Sequence, residues 1–163
     1  MKTKEATLTP SHVAFENSEQ MIELLNQQLA DLFDLYSQTK YAHWNVRGAN
    51  FIGLHKLFDE LAEKLEDAVD EAAERATALG GIARGTARLA VKQSRLEEFP
   101  REVFLCESVV EALVSRYGAL SQSTRASIKE ADDCDDYGTT DLLTVQSRLL
   151  DESIYFLESH LKN

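Results

Sequence analysis

Long, uninterrupted helical periodicity is the feature that most constrains the fold of this 163-residue chain. Proline removes a backbone donor and breaks helices. The only two prolines, Pro10 and Pro100, lie outside the segments in which apolar residues recur every three or four positions. No segment of useful length alternates apolar and polar residues as a half-buried strand does. The sequence therefore predicts an all-α protein.

Four long helices are predicted, with one short helix between the second and the third. Their expected bounds are 17–46 and 51–79, then 86–93 for the short helix, a start near Pro100 for the third long helix, and 140–161 for the fourth. Pro100 suits the first turn of the third long helix, and Phe104 would then lie on the apolar face of that helix. Thr140 or Asp141 would cap the last helix. Such a series predicts a four-helix bundle over residues 18–163. The polar residues 1–17 would form a flexible arm.

Composition narrows the class of protein. The chain carries a net charge of -11, which attracts cations and repels nucleic acid. Its two cysteines, Cys106 and Cys134, are too few for a disulfide scaffold, so a reducing compartment is expected. Cys106 is expected to be a small packing residue. The acidic residues around Cys134 disfavour its thiolate form, so Cys134 is not expected to be a nucleophile. The first residues have no apolar stretch typical of a secretory signal, and no apolar run approaches the length of a membrane span. We expect a cytoplasmic protein.

A pattern of histidines and carboxylates occupies the end of the first helix and the length of the second. It consists of His43, then His55, Asp59, Asp70 and Glu74. At about 100° per residue, the last four fall within roughly 100° of one another on the second helix, on the face opposite its apolar core residues. Imidazoles and carboxylates together suit iron or another divalent transition metal.

The helical rise divides these candidate ligands into two half-sites. His55 and Asp59 are one turn apart, as are Asp70 and Glu74, but about 16 Å of helix separates Asp59 from Asp70. Metal–ligand bonds are about 2 Å long, so a single chain cannot place both pairs on one ion. Either the pairs are unrelated charges on a solvated helix face, or a second, antiparallel copy of the chain completes each site across a two-fold axis. The inward Glu-x-x-His motif of intra-bundle di-iron proteins does not occur.

The motifs in this region are similar to those of a known family. His43-Trp44-Asn45-Val46-x-Gly is followed by Phe51-x-x-Leu54-His55-x-x-x-Asp59-Glu60, then by Ala73-Glu74-Arg75-Ala76, Leu79-Gly80-Gly81 and Thr140-Asp141-Leu142-Leu143. This series resembles the Dps family, the DNA-binding proteins from starved cells. The resemblance covers nearly the whole chain after the N-terminal arm.

The resemblance implies a mini-ferritin, a hollow shell of twelve identical subunits. It implies a ferroxidase centre at the two-fold interface that oxidises Fe(II), often with hydrogen peroxide, and a cavity that stores ferric mineral. Matched residue by residue, the centre falls on His43, His55 and Asp59 of one chain and on Asp70 and Glu74 of its neighbour. Zinc or another divalent metal would be a possible substitute for iron. Trp44 would either pack at the interface or scavenge oxidising equivalents beside the iron.

Two further acidic groups have roles suggested by the resemblance. Asp132, Asp136 and Asp141 lie near the junction of the last two long helices, which in similar proteins lines three-fold pores that admit cations. The alternative is a solvated acidic loop. Glu63, Glu66 and Asp67 would nucleate mineral inside the shell, although ordinary surface acids are an equal alternative.

Three functions remain open on the sequence. The first is a ferroxidase and iron store that uses peroxide or oxygen. The second is an architectural DNA binder, for which the arm supplies only Lys2 and Lys4 against a strongly acidic subunit, so that weak binding is expected. The third is a helical interaction bundle without metal, in which the ligand alignment would be accidental.

Overall fold

The structure, a computed structural model, describes residues 10–161. It consists of α1 (Ser18–Asn45), α2 (Phe51–Ala78), α3 (Ala87–Gln93), α4 (Cys106–Asp133) and α5 (Tyr137–Glu158). Within this range no β-strand occurs, and the only strand-like pairing is a single bridge between Arg47 and Leu105. The predicted all-α, ferritin-like bundle with a short helix between the second and third long helices is therefore confirmed.

One long connection sets the order of the helices in the bundle. Short turns join α1 to α2 and α4 to α5, so each pair packs as an antiparallel hairpin. The bridge between Arg47 and Leu105 holds the end of α1 beside the start of α4. Residues 79–105, which include α3, must therefore return the chain along the length of the bundle. A single long crossover of this kind is typical of ferritin-like folds.

The core is apolar along most of its length but contains one polar layer. Large buried side chains from the four long helices include Leu29, Leu32, Phe58, Leu61, Leu65, Leu113, Tyr117, Leu120 and Leu150. In the polar layer, the buried Gln28 amide donates to the Thr124 hydroxyl at 2.9 Å and to Gln146 Oε1 at 3.1 Å. Gln146 in turn donates to the Ala68 carbonyl at 3.1 Å, so the layer joins all four long helices. Such a layer favours one register of the helices, because a shift would leave buried polar groups unpaired.

The start of the third long helix differs from the prediction. It begins at Cys106 rather than near Pro100. The Arg47 N–H donates to the Phe104 carbonyl at 2.6 Å, and the Cys106 N–H donates to the Arg47 carbonyl at 3.0 Å. These bonds hold the backbone extended up to Leu105, whose ψ is 138°. The prediction that Phe104 lies on a helix was therefore wrong, and its side chain is 46% exposed.

The last helix also starts earlier than predicted, because its cap lies four residues before Thr140 and five before Asp141. Asp136 caps α5, and its carboxylate accepts the Thr139 N–H at 3.0 Å. Thr140 and Asp141, the predicted caps, lie inside the first turn. The same Asp136 carboxylate pairs with Arg75 of α2 at 2.6 Å, and this contact fixes the junction between the two helices.

Ser11 contacts the C-terminal end of α2, where its hydroxyl donates to the Ala78 carbonyl at 2.6 Å. Residues 1–9, which make up most of the predicted arm and include Lys2 and Lys4, lie outside the described residues. The division into a flexible arm over 1–17 and a bundle over 18–163 stays a prediction. Cys106 and Cys134 are both free and partly buried, so neither forms a disulfide within the described chain.

Replacing Phe58 by Ala tests the core. The side chain is fully buried, and its removal leaves a cavity that should lower the free energy of unfolding by about 3–5 kcal/mol in urea denaturation. The matched control, Phe104→Ala, removes a half-exposed ring outside the helices and should cost less than about 1 kcal/mol. Equal losses for the two variants would contradict the burial of Phe58 in the core and the exposure of Phe104 outside it.

Candidate metal centre

Two histidines form the middle of the candidate site. His43 lies in the last turn of α1 and His55 in the second turn of α2, on either side of the tight connection between the helices. Their rings stack with centroids 3.8 Å apart and planes 19° from parallel. The Phe51 ring lies 5.0 Å from the His55 ring on the same helix. The stack packs the end of α1 on the start of α2.

Reciprocal hydrogen bonds define the tautomer of both rings. His43 Nδ1 donates to the His55 carbonyl at 2.7 Å, and His55 Nδ1 donates to the His43 carbonyl at 2.9 Å. A carbonyl oxygen only accepts, so each Nδ1 must carry a proton. In the neutral imidazole the lone pair then lies on Nε2, the atom that binds a metal when Nδ1 donates to a carbonyl. In both neutral rings Nε2 is therefore the candidate ligand atom.

Asp59 adds a carboxylate one turn after His55. Its Oδ1 accepts a hydrogen bond from Lys40 Nζ at 2.6 Å and lies 3.8 Å from His43 Nδ1. The Lys40 hydrogen bond holds the pKa of the Asp59 carboxyl below its usual value, and partial desolvation opposes this shift. The side chain is 43% exposed, so the ionised carboxylate is accessible to a cation.

Asp70 and Glu74 form the second half-site, farther along α2, and both are exposed. Asp70 borders a shallow depression that is also lined by Phe33, Tyr36 and Val69. The intervening helix keeps Asp70 about 16 Å and Glu74 about 22 Å from Asp59. Within residues 10–161 of one chain, no group of three or more histidine, cysteine or carboxylate side chains is arranged to hold a metal ion. His43, His55 and Asp59 are neighbours at the α1–α2 connection but do not form such a group by themselves, and Asp70 and Glu74 lie apart from them.

The structure also places the remaining candidate residues. Trp44 follows His43 and is 62% exposed. Glu63, Glu66 and Asp67 are exposed on α2, and Asp132 and Asp141 are exposed at the junction of α4 and α5. Asp136 is only 5% exposed, and its two oxygens are occupied by Arg75 and Thr139. Its carboxylate therefore serves contacts within the chain.

Sequence reasoning missed Lys40, the partner of Asp59. Its position three residues before His43 places both side chains on one helix face, so the spacing contained the signal. The consequence is that an ammonium group already occupies one oxygen of the candidate ligand Asp59. A cation that binds Asp59 through this oxygen must displace it.

The helices of the described range do not include one that is both long enough and apolar enough to cross a membrane.

Comparisons with known proteins agree with the fold and the motifs. A family model described as a ferritin-like domain matches residues 22–163. The "DNA protection during starvation protein" of Agrobacterium fabrum is 37% identical over 142 residues, which cover 87% of this chain and 88% of that protein. The protein of the same name from Halobacterium salinarum is 30% identical over 148 residues, or 91% of this chain and 81% of its own length.

Solved structures of Dps proteins are also similar to this chain. The crystal structure of an archaeal Dps homologue from Halobacterium salinarum aligns with a TM-score of 0.88 at 28% identity and covers 100% of this chain and 95% of that one. The crystal structure of Dps from Staphylococcus aureus aligns with a TM-score of 0.84 at 30% identity, over 89% of this chain and 97% of that one.

Replacing Lys40 by Gln tests the electrostatics of the site. Because the Lys40 hydrogen bond is the largest cause of the lowered pKa of Asp59, this pKa should rise toward its usual value in the variant. In the wild type, the stabilisation from a depressed carboxyl pKa is present above the unfolded-state pKa and is lost as pH falls through the folded-state pKa. The variant should lack this contribution. The measurement is an NMR titration of ¹³C-labelled aspartate carboxyls.

Lys56→Gln is the matched control, because Lys56 is exposed and makes no ion pair within residues 10–161. It should leave the pKa of Asp59 unchanged. An unchanged pKa in Lys40→Gln would show that the contact does not persist in solution.

Proposed function

The chain belongs to the Dps family of ferritin-like proteins, and on this premise we propose that it is a ferroxidase and iron-storage mini-ferritin. In this proposal Fe(II) is the substrate, hydrogen peroxide or oxygen is the oxidant, and ferric mineral is stored in a shell of identical subunits. The observation that carries the proposal is the histidine pair: mutual hydrogen bonds through Nδ1 leave Nε2 of each ring as the candidate ligand atom, and the Asp59 carboxylate lies 3.8 Å from His43 Nδ1.

The donor set suits iron. Imidazole nitrogens and carboxylate oxygens are intermediate and hard ligands that serve both Fe(II) and Fe(III), whereas a site rich in thiolates would favour zinc or iron–sulfur clusters. The carboxylates stabilise the more highly charged Fe(III) product, because the electrostatic attraction grows with the charge of the ion. Zinc or another divalent ion can occupy the same donors and would then compete with Fe(II).

A second subunit would complete each site. Two α2 helices crossing in antiparallel orientation would bring Asp70 and Glu74 of one chain opposite His55 and Asp59 of the other. Such a two-fold contact is isologous and contains two identical sites. Support comes from the face between the two half-sites, where Phe33, Tyr36 and Val69 lie partly exposed around the depression next to Asp70. Partly exposed apolar side chains beside charged ones are typical of subunit contacts.

In the proposed reaction, two electrons pass from iron to peroxide in a single step. Two Fe(II) ions each lose one electron to one peroxide; the O–O bond breaks, two protons are taken up, and two Fe(III) ions and two waters result. Pairing the electrons avoids the release of a hydroxyl radical, which one-electron reduction of peroxide would produce. Trp44, exposed next to His43, would either scavenge stray oxidising equivalents or pack against the partner subunit.

Storage requires a closed assembly, and we propose the twelve-subunit shell that the family resemblance implies. The exposed Asp132 and Asp141 are the pore candidates that remain available to cations, since Asp136 is engaged with Arg75. Three-fold repetition of such carboxylates would draw cations inward. Glu63, Glu66 and Asp67 would face the cavity and nucleate mineral.

A ferroxidase assay tests the enzymatic proposal. Fe(II) and peroxide are mixed without oxygen and the absorbance of Fe(III) is followed. A variant with His43→Ala, His55→Ala and Asp59→Asn should oxidise Fe(II) about tenfold to a hundredfold more slowly, because loss of metal ligands reduces both iron binding and turnover.

Glu60→Gln is the matched control for this assay: it removes an exposed acid next to Asp59 that is not a candidate ligand, and should retain the wild-type rate. Equal rates for the triple variant and the wild type would exclude the proposed centre.

DNA binding is a second candidate function, because relatives are called DNA protection during starvation proteins. The net charge of -11 per chain opposes it. The two early lysines would act only through avidity in an assembled shell. In a gel shift over a salt series, we expect any retention at low salt to disappear by about 150 mM, because counterion release then no longer favours binding. Retention at that salt would instead support an architectural role.

A further inference from the structure

Trp44 and Val91 are large apolar side chains that the single chain leaves in solvent. Trp44, at the end of α1, is 62% exposed, and Val91, on the short helix α3, is 79% exposed. Phe33 precedes Trp44 by eleven residues of α1, so at about 100° per residue their side chains lie within roughly 20° of one another around the helix. Trp44 therefore continues the α1 face on which the proposed subunit contact lies.

Within one chain, α3 and Trp44 lie at different levels of the bundle. The Ser94 hydroxyl, just after α3, donates to the Asp34 carboxylate of α1 at 2.6 Å. Ten residues of helix separate Asp34 from Trp44, which is about 15 Å along the helix axis. Val91 of α3 therefore does not cover Trp44 of the same chain, in agreement with the high exposure of both side chains.

The proposed two-fold contact brings α3 and Trp44 together between chains. In that contact the second half-site of one chain lies opposite the first half-site of the other. α3 lies at the level of the second half-site, since Phe33, the neighbour of Asp34, borders the same depression as Asp70. Trp44 directly follows His43 of the first half-site. α3 of one chain thus reaches the level of the partner's Trp44.

Charge favours the same pairing. Residues 75–96, which include α3, contain five arginines and lysines and no acid, whereas residues 59–74 of α2 contain eight acids and one lysine. Arg88 and Lys92, which precede and follow Val91, are exposed and make no ion pair within the described part of the chain. Two acidic α2 helices repel each other across a two-fold axis. The cations of α3 offset part of that repulsion when they face the acidic helix of the partner.

We propose that α3 docks on the partner subunit, where Val91 packs against the partner's Trp44. The proposal rests on the two-fold contact proposed above and extends that contact from α2 to the crossover connection. Both subunits contribute the same surfaces, so each pair of chains contains two such contacts. Each candidate metal centre is then covered on its α1 side by α3 of the other chain. Tryptophan is enriched among the residues that contribute most to subunit contacts.

Fluorescence of Trp44 tests the docking, because this residue is the only tryptophan of the chain. Quenching by acrylamide is measured on the assembled protein, and sedimentation verifies the assembly. The wild-type indole should resist quenching, because α3 of the partner covers it. Val91→Asp places a carboxylate against the indole and beside an acidic subunit. This variant should shift the emission to the red and raise the quenching constant to that of a solvent-exposed tryptophan.

Ile82→Asp is the matched control, because Ile82 is an apolar residue of the same crossover connection, 63% exposed, that lies outside α3. It should be quenched as the wild type is. Thermal unfolding of each variant shows whether it is folded.

Subunit mixing separates a contact between chains from an effect within one chain. Wild-type chains are reassembled with an excess of Trp44→Phe chains, which lack the indole, so that most wild-type chains have such a partner. Trp44→Phe chains should keep the wild-type indole shielded. Chains that carry both Trp44→Phe and Val91→Asp should expose it, because the altered Val91 lies in the other subunit.

Three results would overturn the docking of α3. They are free quenching of Trp44 in the assembled wild type, unchanged shielding in Val91→Asp, and equal shielding by the two Trp44→Phe partners. Release of bound DNA by Arg88→Gln with Lys92→Gln, together with a freely quenched Trp44, would assign the basic face of α3 to nucleic acid instead. Each of these results is compatible with an active ferroxidase, whereas failure of the proposed function would appear in the Fe(II) assay with the indole still shielded.

Discussion

The hydrogen bonds between His43 and His55 join the end of α1 to the start of α2, and the candidate site depends on them. Each ring donates to the backbone carbonyl of the other residue, so the same two bonds fix the crossing of the helices and the tautomer of both imidazoles. A ring flip would lose a hydrogen bond and present the wrong nitrogen. The backbone thus orients ligand atoms that would otherwise rotate freely, which is the usual role of a partner behind a metal-binding histidine.

The rigid helix α2 fixes the distance between the two half-sites. α2 holds Asp59 and Asp70 on the same side but about 16 Å apart, so one chain cannot place both carboxylates on the same metal ion. The core fixes the helix between the half-sites, because Leu61, Leu65 and Ala68 are buried against the rest of the bundle. An assembly that repeats the helix in the opposite direction is the simplest way to complete both sites. Iron oxidation would then require assembly of the subunits.

The sequence correctly predicted the structural features that depend on local periodicity. It did not predict the helix starts that depend on contacts between distant segments. The helix bounds of α1 and α2, and the spacing of the ligands along α2, follow from residues near one another in the chain. The start of α4 does not, since the pairing of Arg47 with Phe104 and Cys106 keeps the preceding residues extended. Several residues near the start of α5 are good caps, and Arg75 of α2 favours Asp136 over the others.

The central claim is that two chains build each site, and a subunit-mixing experiment tests it most directly. One variant lacks His43, His55 and Asp59, and the other lacks Asp70 and Glu74; each alone should be inactive in Fe(II) oxidation. After dissociation and reassembly of an equal mixture, activity should return to about one quarter of the wild-type rate, because half of the pairs are mixed and each mixed pair contains one complete site of two. No recovery in properly reassembled mixed shells, or full activity of either variant alone, would contradict the intersubunit site.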